Sequence, residues 1–183
     1  AKAGRIRFMG EDIAGRRPDQ IGRAGIALVP EGRQCFPNLT VEENLKFFAT
    51  LFETTVEEQY DLIRDIYVQL EPFMDRRAAK LSGGMKQKLA LCCALVHEPQ
   101  VLLLDEPTTG VDPVSRHEFW IMLKRLKERG ITILVSTPYM DEALQCDRIA
   151  LIDQGALMSV DTPAAVIAAF DAPLYVARAS NIL

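Results

Sequence analysis

The chain has 183 residues, 49% of them hydrophobic and 25% charged, with a formal net charge of -4 at neutral pH. That length suffices for one domain with a sizeable core, plus a small subdomain, in an ordinary soluble protein. The acidic balance argues against nucleic acid as the main partner, because phosphate binding is driven by clustered Lys and Arg, and the seven basic and four acidic groups of residues 1–33 fit a solvated face.

In chain order, RIRFMG (5–10) alternates like a strand and GIALVP (25–30) has the texture of a second, mostly buried one. A loop containing Gly32 and Pro37 follows. Thr40 with Glu43 forms a capping-box pattern, after which Val41, Leu45, Phe48 and Phe52 recur at helical spacing. Thr55 with Glu58 repeats the device for a helix to about Leu70, and a further helix from Ser82 carries Met85, Leu89, Cys92 and Val96 on one face. From Val101 the texture changes to alternating strands (VLLLD, ITILVS, RIALID) and helices, which predicts a parallel sheet with helices on its faces. Asp112-Pro113, Thr137-Pro138 and Thr162-Pro163 each place a capping side chain before a proline at the first helical position, so three helix starts are expected there. The expected organisation is an α/β part over 1–39, a helical insert over 40–98 and a second α/β part over 99–183.

Cys35, Cys92, Cys93 and Cys146 lack C-x-x-C spacing, and His97 and His117 form no metal-ligand pair, so no zinc site is expected. Cys92 and Cys93 lie in an apolar helical run, where free cysteine acts as a small hydrophobe in a reducing compartment. No run approaches the roughly 18 apolar residues of a membrane span and no signal peptide opens the chain, so any membrane crossing is expected of another polypeptide.

Two strings carry chemistry. VLLLDE ends an apolar strand on Asp105 and Glu106, at the carboxyl edge where ligands of open α/β sheets bind, and two hard-oxygen carboxylates there suit Mg²⁺ held through water and the orientation of an attacking water. LSGGMKQ opens a helix on Ser82, Gly83 and Gly84, where a hydroxyl, backbone N–H groups and the positive end of the helix dipole can meet an anion. The G-x-x-x-x-G-K-[ST] loop that would wrap phosphates beside such carboxylates is absent from all 183 residues.

LSGGMKQ followed by DEPTTGVDP resembles the signature, Walker B and D-loop of ABC ATPases. VPEGRQCFPNLTVEENL (29–45) looks like that family's Q-loop and the start of its helical subdomain, and STPYMDEA (136–143) like its switch loop. The resemblance covers nearly the whole chain and implies an α/β P-loop NTPase-like fold, a parallel sheet with an inserted helical subdomain, here without the N-terminal Walker A portion. It implies ATP and Mg²⁺ as ligands, a second ABC ATPase domain in a head-to-tail dimer, a transmembrane permease as further partner, and a cytoplasmic place on the inner face of the cell membrane. By the same resemblance Asp105 holds Mg²⁺ through water and Glu106 is the catalytic carboxylate. Ser82, Gly83, Gly84 and Gln87 meet the nucleotide of the opposite subunit, and Asp112 lies at the subunit junction. Phe47, Phe48, Phe52 and Trp120 are expected in packing.

Two positions depart from the family pattern: Glu31 stands where the Q-loop glutamine is usual and Pro138 where the switch histidine is usual. Without the Walker A loop, three or more charge-assisted hydrogen bonds of about 1.5–3 kcal/mol each are lost, against the roughly 8 kcal/mol that micromolar binding represents. The chain alone is therefore expected to be inactive and only marginally stable, with unpaired strand edges and uncovered apolar faces. The motifs from residue 81 onward are similar to drug-exporter ATPases, the 29–45 segment to branched-chain amino-acid importers, and export is favoured. The alternatives are a soluble ABC ATPase of translation or DNA repair, and a non-catalytic remnant.

Overall fold

The computed structural model describes residues 4–32 and 35–169. The first three residues, residues 33 and 34 of the expected Q-loop segment, and residues 170–183 of the expected 99–183 region lie outside the described residues. The chain forms two compact units, Ala1–Pro138 and Tyr139–Leu183.

The first unit opens with a hairpin, β1 (Arg7–Phe8) against β2 (Glu11–Asp12). The expected six-residue strand is cut short because Met9 and Gly10, at φ +49° and +85°, make the turn. Two consecutive positive φ values give the primed turn that matches strand twist. Helix α1 (Pro18–Arg23) was not expected; Pro18 sits in its first turn and the Gln20 Oε1 accepts from the Arg17 N–H at 3.2 Å.

Three parallel strands form the central sheet in the order β3 (Ile26–Val29), β4 (Val101–Asp105), β5 (Thr132–Ser136). Ala27, Val29, Leu102 and Leu104 alternate onto a buried face, with helix α4 (Gly83–Leu95) packed against β3. On the other face Leu28, Leu103 and Leu134 stand in register as one row, yet Leu28 and Leu134 are 59% and 64% exposed. Among the described residues β3 and β5 each pair on one side only. Among the described residues open edges and an exposed apolar row are thus both present.

Between β3 and β4 the chain is helical. Helix α2 (Val41–Leu51) starts on the expected box: Thr40 Oγ1 accepts from the Glu43 N–H at 3.1 Å, and Glu43 Oε2 accepts from the Thr40 N–H at 2.7 Å. Thr40→Ala should lower stability by about 1 kcal/mol, measured as a drop in the urea midpoint without a change in slope. The second box also forms, with Thr55 and Glu58 exchanging bonds of 3.0 and 3.1 Å. It closes only a turn, and α3 (Tyr60–Leu70) begins after it. Helix α4 is buried almost all round, with Leu89, Leu91, Cys92 and Leu95 at 0% exposure, because α2, α3, β3 and α5 (Pro113–Glu128) all contact it. A one-faced stripe was expected of it. Lys88 on this helix donates to Gln69 of α3 at 2.6 Å and pairs with Glu118 of α5 at 2.7 Å, joining three helices. Trp120 is buried and Phe52 stacks on His97 at 3.9 Å between ring centroids, while Phe47 is 44% exposed and touches Phe36 edge-on.

The second unit contains α6 (Met140–Ala143), β6 (Ile149–Asp153), β7 (Ala156–Asp161) and α7 (Pro163–Ala168). Two expectations need correction here. RIALID pairs antiparallel with β7 as a separate two-stranded sheet, so it does not extend the parallel sheet. The turn at Gln154 (φ +48°) and Gly155 (φ +78°) makes the local hairpin accessible. Thr137-Pro138 starts no helix: α6 begins two residues later, after Tyr139, which makes no side-chain cap bond. A cap is worth only about 1 kcal/mol, and here Pro138 lies at a bend and Tyr139 is extended, which delays the helix to Met140. The Asp112 and Thr162 caps form as expected, accepting from Ser115 and Ala165.

Candidate active site

Because β3, β4 and β5 are parallel, their carboxyl ends share one edge of the sheet. Val29 is level with Leu104 and Asp105 with Ser136, so Glu31, Asp105, Glu106 and Pro138 all come to that edge. The Ser136 hydroxyl joins the two carboxylate residues. It donates to Asp105 Oδ1 at 2.6 Å and accepts from the Glu106 N–H at 3.0 Å; the same N–H also reaches the Ser136 carbonyl at 3.1 Å.

Glu106 has φ +43° and precedes Pro107, a left-handed backbone that costs a non-glycine residue roughly 1–3 kcal/mol. The bonds to Ser136 hold it there. Thr109 Oγ1 donates to Glu106 Oε2 at 3.0 Å and fixes the side chain as well. The outcome is an exposed aspartate and a half-buried glutamate on adjacent residues, each with one carboxylate oxygen hydrogen-bonded to a hydroxyl. That donor set fits a hard cation held through water and a base aimed at a second water. The triphosphate part of such a ligand has no matching loop in the sequence. Glu31 and Pro138 are exposed at the same edge, and no hydrogen bond joins either to the carboxylates among the described residues.

The Ser82 string is built into the same framework. Ser82 is the N-cap of α4, its Oγ accepting from the Met85 N–H at 3.3 Å, and Gly83 and Gly84 form the first turn. Gly84 is buried, and a Cβ there would lie 3.0 Å from Ser115 Oγ and 3.1 Å from Ser115 Cβ. A side chain at Gly84 would crowd Ser115, so glycine favours the close approach of the first turns of α4 and α5. The α5 start is set by Asp112, whose carboxyl is held below its ordinary range by the Ser115 N–H it accepts at 3.0 Å. Gln87 is 2% exposed and its Nε2 donates to the Pro107 carbonyl at 2.6 Å, so the helix opened by Ser82 is tied to the residue after Glu106.

Ser136, Thr109 and Lys88 were not singled out from sequence. Ser136 could have been: it is the polar end of ITILVS, and a parallel neighbour of VLLLD must put that end beside Asp105.

The family model described as ABC transporter matches residues 1–109. Nod factor export ATP-binding protein I of Paraburkholderia xenovorans is 40% identical over 169 residues, which cover 91% of this chain and 55% of that protein. The probable multidrug ABC transporter ATP-binding protein YbhF of Escherichia coli is 46% identical over 145 residues, 78% of this chain and 25% of that protein. The chain thus spans about half the length of the first of these curated relatives and a quarter of the second. Among solved structures, CbiO1 of Clostridium perfringens, part of the ABC transporter complex CbiONQ, superposes with a TM-score of 0.75 at 30% identity, covering 92% of this chain and 69% of that one. An ATP-binding subunit of an ABC transporter superposes with a TM-score of 0.77 at 28% identity, covering 90% and 69%.

Proposed function

This chain belongs to the ABC transporter family, and from that premise we propose that it works as part of an ATPase domain of an exporter, paired head to tail with a second ATPase domain. Ser82, Gly83 and Gly84 face Mg-ATP held by the Walker A loop of that partner. Asp112 stands at the junction of the two domains. A membrane permease completes the assembly and places the chain at the cytoplasmic face; among the described residues no helix is long and apolar enough to cross a membrane. Export is preferred to import because two of the similar proteins are named for Nod factor export and multidrug transport.

The observation that carries this reading is the Gln87–Pro107 bond of 2.6 Å, which joins the helix opened by Ser82 to the loop of Glu106. Nucleotide bound against the first turn of α4 therefore bears on a helix that is physically connected to the acidic edge. Gln87 acts as that brace: its burial suits support of the loop better than contact with a nucleotide. Bound Mg-ATP would supply the transferable phosphoryl group and the metal. Asp105 suits the metal's water shell, and Glu106 suits the attacking water. The first turn of α4 needs no phosphate cradle of its own to meet the partner's nucleotide.

Sedimentation velocity with a complete ABC ATPase domain tests this. A mixed dimer should form in Mg-ATP and dissociate in Mg-ADP, while calorimetry on the chain alone gives no micromolar affinity for Mg-ATP. Micromolar binding by the isolated chain, or no nucleotide-dependent association, would overturn the proposal.

A further inference from the structure

Ser82 and Gly83 stand at the start of α4 and Asp112 at the start of α5, so the surface offered to a partner domain depends on how these two helix starts are set against each other. Two contacts set them. The outer one is Gly84 against Ser115, where a Cβ on the glycine would come within 3.0 Å of the serine Oγ. One helical turn further in on both helices, the Lys88 ammonium donates to Glu118 Oε2 at 2.7 Å. Contacts one turn apart hold the spacing and the register of the two helices together.

The Lys88 side chain is 12% exposed against 48% for Glu118, so the ammonium is the enclosed member of the pair. Its other bond, 2.6 Å to Gln69 Oε1, reaches the last turn of α3. Bonds to two different helices fix where the charged end sits. Gln87, the residue before, ties the same turn of α4 to the Pro107 carbonyl, and Lys88 adds the ties to α3 and α5. The pair of Asp65 with Arg125 at 2.7 Å also joins α3 to α5, but it lies farther along α5 and leaves α4 out.

We propose that Lys88 is a positioning residue for ATP hydrolysis by the partner domain: held between Gln69 and Glu118, it sets the first turn of α4 against the start of α5, so that Ser82, Gly83 and Asp112 reach the partner as one surface. This role rests on the head-to-tail pairing proposed above. Lys88 acts through the helix start, which lies about 7.5 Å away along the α4 axis at a rise of about 1.5 Å per residue. The partner's ATP is held by the partner's own Walker A loop. Loosening the clamp therefore leaves nucleotide affinity nearly intact and slows the step that needs Ser82 and Gly83 in place.

The experiment pairs the chain with a complete ABC ATPase domain, follows association by sedimentation velocity, and measures kcat and KM for Mg-ATP after subtraction of the partner's own activity. Lys88→Met keeps the apolar stem and removes the charge; it should lower kcat at least about tenfold with KM within about twofold, as when a reacting group is held out of line. Lys88→Arg keeps a cation with donors for both acceptors and should restore kcat to within about threefold. Glu118→Ala should also lower kcat, and combined with Lys88→Met it should cost no more than Lys88→Met alone, as for two members of one contact. Arg125→Ala should leave kcat unchanged. An unchanged kcat in Lys88→Met, a loss that Lys88→Arg does not recover, additive losses, or a raised KM at constant kcat would overturn this role while leaving the pairing intact. Failure of the unsubstituted chain to associate in Mg-ATP would overturn the pairing and this role with it. Glu118→Ala decides the matter if Lys88→Met does not fold, since a half-exposed carboxylate contributes little to stability, and full kcat in that variant would overturn the role.

Discussion

In a version of the protein extended upstream to carry a G-x-x-x-x-G-K-[ST] loop, Glu106→Gln is expected to keep Mg-ATP affinity within a few-fold and to slow hydrolysis by at least about 100-fold. The size follows from the role proposed for the side chain: orienting or deprotonating water by a positioned carboxylate contributes roughly 10²–10⁴-fold, and an amide has no comparable basicity. The substitution is conservative in every other respect. Glutamine can still accept the Thr109 hydroxyl bond, and the backbone anchors to Ser136 do not involve the side chain at all. Loss of activity with retained binding would then report on the anion alone. Single-turnover hydrolysis and equilibrium nucleotide binding, measured on the same preparation, separate the two. Unchanged turnover would remove Glu106 from the catalytic role and shift attention to Asp105.

The elements that sequence reveals best are those in which several local signals agree. VLLLD and GIALVP are short apolar runs with turn residues on both sides, and both are strands of the parallel sheet. Thr40 with Glu43 and Asp112 with Pro113 start helices because cap, proline or box, and apolar period all point the same way. Where one signal stood alone, tertiary structure decided. Thr137-Pro138 has a cap and a proline but only the four-residue α6 behind it, and the helix starts elsewhere. RIALID is an apolar run whose partner cannot be read from its own residues; it pairs with β7, which was not expected as a strand.

The candidate site divides in the same way. The position of Asp105 and Glu106 was legible because an apolar run that ends in two acids places them at the carboxyl end of a strand, as β4 does. Their support was not, since Ser136 lies about thirty residues away and becomes their neighbour only through parallel register. Gly84 is instructive for a different reason. Its place in LSGG suggests a nucleotide contact, but its proximity to Ser115 gives the helix pair a packing reason to favour a glycine there as well. Substituting Gly84 therefore mixes packing with binding, and Gly83 is the cleaner probe.

Gly83→Asp is expected to abolish hydrolysis by a complete partner domain paired with this chain, while Asp105→Asn in this chain should leave it within about twofold. Gly83 is half-buried in the first turn of α4, beside the exposed hydroxyl of Ser82. An acidic residue in the first turn of a helix is favourable by itself, so the substitution should not weaken α4. Its penalty arises only when a phosphate approaches. At about 4 Å, with an effective dielectric near 20, two like charges repel by about 4 kcal/mol, or roughly a thousandfold in rate or affinity. Asp105 belongs to the acidic edge of this chain and not to the first turn of α4, so in the proposed pairing converting it to asparagine removes a carboxylate away from the partner's nucleotide. The Ser136 hydroxyl can still donate to the asparagine oxygen, which preserves the edge. ATPase assays of the mixed dimer with each substitution in turn distinguish the two sites. A large loss confined to Gly83→Asp supports presentation of α4 to the partner's nucleotide, whereas equal losses, or loss only from Asp105→Asn, would mean that hydrolysis runs at this chain's own acidic edge.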